Sequence, residues 1–130
     1  MATAAAAGAR VVYQVLNPAY HRWAEEFPGL QRSAIAAADA AGARLVVLDN
    51  VYAYGPPTPG VAFTENSPIN PASRKGEVRA QMHRELMAAN YSGRVEVAVG
   101  RASDYLAPAP APNLRSAIRF CGRHLPAAFG

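Results

Sequence analysis

A chain of 130 residues is long enough for one compact domain with a single hydrophobic core. Its net charge of +4 comes from 13 Lys+Arg against 9 Asp+Glu with no long run of either sign. That excludes the clustered basic patch, interleaved with aromatics, on which nucleic-acid binding rests. The single cysteine, Cys121, excludes an internal disulfide and reads as an incidental thiol.

The start, "MATAAAAGAR", is alanine-rich but lacks the charged stretch and bulky apolar core of a signal peptide. No apolar run approaches the roughly 18 residues of a membrane span, so a cytoplasmic protein is the expectation. "VVYQVL" (11–16) reads as a strand: Val- and Leu-rich and of strand length. A helix is predicted from about Phe27 to Gly42, with Leu30 and Ile35 among alanines and the glycine as its C-terminal cap. "RLVVLD" (44–49) is a second strand. The segment 50–70, "NVYAYGPPTPGVAFTENSPIN", is longer than a plain connection, and such loops are commonly functional or disordered.

A second helix is predicted from Pro71 or soon after to about Asn90. Val78, Met82 and Leu86 form its apolar stripe, and Lys75, Arg79 and His83 form a neighbouring ridge. "RVEVAVG" (94–100) is a third strand. Beyond Tyr105 the composition changes: "APAPAP" (107–112) reads as an extended spacer, and a short helix is predicted at 113–121.

Strands alternating with helices imply parallel strands joined by crossovers. Near-continuous apolar strands fit a sheet covered on both faces. Ligands of such sheets sit at the carboxyl ends of the strands, here Leu16-Asn17-Pro18, Asp49-Asn50 and Gly100-Arg101-Ala102-Ser103.

The motifs of several chemistries are absent. There is no G-x-G-x-x-G, no phosphate-cradling G-x-x-x-x-G-K-[ST] and no G-x-S-x-G elbow. His21, His83 and His124 are far apart and lack partners at metal-ligand spacing, so no metal site is expected. Two constellations remain. Asp49 and Asn50 end a strand, where they either orient a ligand or begin a turn, and Tyr52 and Tyr54 behind them either serve a site or pack the loop. Lys75 and Arg79 share one side of a helix and can meet one anionic group; taken alone, such a pair is more often a solvated face.

Together "VVYQVLNP", "LQRSAIAAADAAGARLVVLDNVYAYGP" and "NPASRKGEVRAQMHRELMAA" resemble the NAD-dependent epimerases and dehydratases, the extended short-chain dehydrogenase/reductases. "GRASDYLAP" is similar to a strand end of that family, and the match runs over roughly residues 10–105. The resemblance implies an α/β fold, a partial Rossmann-like three-layer sandwich of about three parallel strands with crossover helices. It assigns 1–105 to a partial NAD(P)-binding domain and 106–130 to a spacer and tail.

The family uses a Tyr as acid/base, a Lys four residues on, and a Ser or Thr at a strand end. Aligned on Gly76, Lys75 stands at the Tyr position, Arg79 at the Lys position, and Asp49 and Asn50 in the Ser/Thr region. Arginine holds its proton too tightly to transfer it. Lys75 is a base only if its pKa falls far below about 10. The resemblance therefore implies an atypical member, cut short, with weak or no oxidoreductase activity alone. It implies NAD or NADP as cofactor, with Leu16, Asn17, Arg79, Arg101, Ala102 and Ser103 as its contacts and binding weakened by the missing glycine-rich loop. The edge of strand 11–16 would be left open to a second copy or to a partner supplying the missing half. The alternatives are half of a split NAD(P)-dependent enzyme, or a module that binds a nucleotide or sugar phosphate.

Overall fold

The computed structural model describes residues 2–103; the expectations for 104–130, including the spacer, the short helix, the domain boundary and Cys121, lie outside them. Three parallel strands, β1 (Val11–Gln14), β2 (Arg44–Asn50) and β3 (Val97–Ala102), form one sheet in the order β1-β2-β3. Helices α2 (Trp23–Ala41) and α3 (Arg74–Tyr91) make the two crossovers, and a short α1 (Ala2–Ala5) precedes β1. The alternating strand–helix order thus gives the expected Rossmann-like α/β arrangement. Among the described residues, no helix is long and apolar enough to cross a membrane.

Both crossover helices lie on the same face of the sheet. Leu45 and Val47 of β2 point into a core with Ala34, Ile35 and Ala38 of α2 and Leu86 and Ala89 of α3, flanked by Val12, Val97 and Val99. Register explains the grouping. Val12 stands opposite Leu45 and Val47 opposite Val99, so alternate residues of all three strands share one face. Gln31 joins the helices by donating from Nε2 to the Met82 carbonyl at 2.8 Å.

Contrary to the expectation of two covered faces, the opposite face is open among the described residues. Tyr13 is 69% exposed, Val15 67% and Leu48 44%. The near-continuous apolar runs that suggested a doubly covered sheet are real, but among the described residues the two helices cover only one side of it.

Several boundaries also move. The first strand stops at Gln14, two residues short, and the third runs over 97–102 rather than 94–100. The first long helix starts at Trp23, four residues before Phe27, and passes through Pro28. Proline costs that turn a hydrogen bond, yet Trp23 and Phe27, 4% and 0% exposed, are both buried on the helix face. Their burial holds the turn together, and acidic Glu25 and Glu26 favour its N-terminus. Gly42 caps the end in the left-handed conformation, φ 60°, as predicted. The second long helix starts at Arg74, soon after Pro71 as expected, because the Ser73 hydroxyl accepts from the Gly76 N–H at 3.1 Å and fixes the cap there.

Candidate functional site

The carboxyl ends of β1 and β2 open onto a crevice of about 280 Å³. Leu16, Asn17, Ala102 and Ser103 line it beside Asp49, Asn50 and Arg79. Tyr20, Trp23 and Tyr52 form an aromatic wall. A larger hollow of about 400 Å³ lies between α2 and α3, by Ala36 and Ala88. It is away from the strand ends, and the charges at its rim are the partly exposed ion pairs Arg32–Glu85 and Arg94–Asp39. The crevice is therefore the candidate site.

Its floor is a charge network. Asp49, at the end of the central strand and 8% exposed, lies between two arginines. Arg101 stands directly opposite it on β3 and brings Nε to 3.2 Å from Oδ2. Arg79, on α3 and 6% exposed, brings Nη1 to 3.1 Å from Oδ1. The second approach is an ion pair without hydrogen-bond alignment: among the described residues, Oδ1 accepts no hydrogen bond and Arg79 Nε donates none. The Arg79 guanidinium also lies over the rings of Trp23 (4.3 Å) and Phe27 (4.2 Å), a contact favourable to a desolvated cation. Burial lowers the Arg79 pKa, and the nearby Asp49 opposes that shift.

Arg101 reaches further. Its Nη1 donates to the Tyr54 hydroxyl, and its Nη2 lies 2.9 Å from His83 Nδ1. A guanidinium has only donors, so Nδ1 accepts and His83 is neutral in this arrangement. Desolvation, then the Arg101 charge, push the His83 pKa below its ordinary 6.5; Arg84 adds to this and Asp49 opposes it. Below about pH 6.5 the unfolded chain takes up the His83 proton before the folded one. This contribution to stability is complete above that pH and is lost as pH falls toward the lowered folded value. Urea unfolding at pH 7.5 and pH 5.5 is expected to show wild type losing more stability than His83→Asn, which keeps an acceptor but does not titrate. Equal losses would remove His83 from the network.

The basic ridge of α3 is thus turned inward. Arg79 is buried, His83 is half-buried against Arg101, and Lys75 lies over the Tyr20 ring with Nζ 3.1 Å from its centroid. The solvated-face reading fails because α3 lies close to the turn at Tyr52–Tyr54. Gly76 permits this: a Cβ there would stand 2.6 Å from the Tyr52 carbonyl oxygen. Asn50 does begin a turn, its Oδ1 accepting from the Tyr52 N–H at 3.1 Å. Tyr54 packs the loop by stacking on Phe63 at 5.0 Å.

The fold thus gathers Asp49, Asn50, Arg79, Leu16, Asn17, Ala102 and Ser103 at one crevice. Arg101 supports it through Asp49, and Lys75 is tied to it through Tyr20, which lines it. Sequence reasoning missed Trp23 and Phe27, although an aromatic pair at i and i+4 beside an alanine-rich run was a readable sign of a packed first turn. It also missed Tyr54 and His83 as partners of Arg101.

This architecture and its crevice define a partial Rossmann-like α/β fold. Solved structures share it, among them the following two. A dTDP-glucose 4,6-dehydratase from Streptomyces venezuelae, DesIV, solved with NAD and TYD bound, superposes with a TM-score of 0.67 at 19% identity over 77% of this chain and 34% of its own. A short-chain dehydrogenase/reductase superfamily protein from Agrobacterium tumefaciens, with bound NAD, gives 0.61 at 23% identity over 77% of this chain and 33% of its own. The chain therefore spans about a third of the length of these two structures. No protein-family model and no curated protein matches it.

Proposed function

We propose that the chain is an atypical relative of the NAD-dependent epimerases and dehydratases with little or no oxidoreductase activity of its own. The observation that carries this reading is the state of Arg79. At the place where the resemblance puts a catalytic Lys, it is buried, paired to Asp49 and covered by Trp23 and Phe27. A guanidinium held this way transfers no proton. Lys75, at the place of the acid/base Tyr, supplies no phenol and lies over the Tyr20 ring.

The two solved neighbours carry NAD, and the retained strand ends support NAD or NADP as the ligand class, with Asn17, Ala102 and Ser103 as contacts. The 130 residues hold no glycine-rich pyrophosphate loop, which removes the helix N-terminus that would bind the phosphates. Calorimetric titration with NAD and NADP is expected to give no binding tighter than about 1 mM, an interaction near 4 kcal/mol. Low-micromolar affinity, or turnover of a reduced nicotinamide, would overturn the proposal.

A second reading, a half-domain completed by a partner, is favoured by the open sheet face. Tyr13, Val15 and Leu48 are exposed there, and among the described residues β1 is an edge strand. Unpaired edges and apolar patches of this kind mark association surfaces. Copurification of a chain carrying a glycine-rich loop supports it, and a lone monomer in solution counts against it.

A further inference from the structure

Among the described residues, the sheet face opposite the helices is apolar and uncovered. Strand register places Tyr13 of β1, Val46 and Leu48 of β2, and Ala98, Gly100 and Ala102 of β3 on that side. Tyr13 and Leu48 are 69% and 44% exposed. The other face is filled by α2 and α3, and the chain leaves the sheet at Ala102, on the open side. The sequence that follows has the pattern of a cover. Leu114, Ile118, Cys121 and Leu125 recur at i, i+4, i+7 and i+11, the spacing of one apolar helix stripe, while Arg115, Arg119 and Arg123 fall on the other side. Asn113 precedes the run as an N-cap residue and Pro126 follows it. A helix over 113–125 would be about 20 Å long, against about 23 Å for the seven residues of β2. The nine residues 104–112 can span about 30 Å, enough to carry the chain from the end of β3 onto the open face.

We propose that the segment 113–125 packs its apolar stripe on the open face of this chain's own sheet, as a helical layer opposite α2 and α3. Its three arginines then point to solvent, and Tyr13, Val46 and Leu48 gain the second cover that apolar parallel strands require. The inference is independent of the cofactor reading. It leaves the edge of β1, rather than the face, to a partner that supplies further strands.

Cys121, the single cysteine, lies on the stripe and reports on it. Maleimide labelling of the full chain at neutral pH, read by mass spectrometry, is expected to run at least about tenfold slower than in denaturant, since a packed thiol reacts only when its segment opens. Leu48→Asp puts a charge beneath the stripe and is expected to bring the rate most of the way to the denatured one, with the circular dichroism of α2 and α3 retained. Tyr13→Asp, on the neighbouring strand, repeats the test from a second position. Ala88→Asp, at the hollow between α2 and α3, is expected to leave the protection unchanged. Labelling of wild type at the denatured rate overturns the proposal. So does protection that survives both aspartates on the open face, that Ala88→Asp abolishes, or that light scattering finds only in a dimer, where a second copy covers the thiol.

Discussion

Arg79→Ala is expected to destabilise the fold by about 3–5 kcal/mol, the range for breaking a buried ion pair from one side. The loss has two parts. Asp49, 8% exposed, keeps only Arg101 as a charged partner among the described residues, and the faces of Trp23 and Phe27 lose the cation that covers them. Arg79→Lys should fall between alanine and wild type, because it restores charge without the planar group that stacks on the rings. Urea unfolding measures all three. A loss under about 1 kcal/mol for alanine would be the behaviour of a solvated surface arginine and would remove Arg79 from the floor of the crevice.

Gly55→Ala is expected to cost about 3 kcal/mol or more, since it combines a glycine-only backbone with a backbone clash. Gly55 has φ 81° and ψ −160°, and a Cβ there would lie 2.1 Å from the Asn70 carbonyl oxygen. This close approach is where the long loop closes on itself, with the Asn70 N–H donating to the Ala53 carbonyl at 3.0 Å. Gly60 is the control. It also has positive φ, 77°, but nothing lies within 4 Å of an added Cβ, so Gly60→Ala should cost only about 1–2 kcal/mol from the backbone conformation alone. Thermal melts of the two variants separate clash from conformation. If Gly55→Ala melts with Gly60→Ala, the loop does not close as described.

The parallel sheet was legible because its signals are local. Val- and Leu-rich runs at 11–16 and 44–49, the alanine-rich helix between them and Gly42 at its end all report backbone preference or burial directly. The single-faced packing was not, because an apolar strand looks the same whether one helix layer covers it or two. The site was legible as a set of strand ends, and Asp49, Asn50 and Arg79 do meet at one crevice. Its chemistry was not. The spacing of Lys75, Arg79 and His83 fixes a common ridge but not which way the ridge turns. That direction depends on Gly76, which admits the Tyr52–Tyr54 turn, and on Trp23 and Phe27, dozens of residues earlier in the chain. The pairing of Asp49 with Arg101 depends on strand register, which no short window of sequence contains.

The strand order also sets how firmly each wall of the crevice is held. Among the described residues, β2 is bonded on both edges, while β1 and β3 are each bonded on one. Amide exchange with solvent deuterium should therefore be slowest along β2 and faster along its neighbours, because a central strand opens only when the sheet opens. Asp49 belongs to that slowest-exchanging strand. The crevice thus has one anchored wall, against which a ligand would register, and one on the shorter and less protected β1.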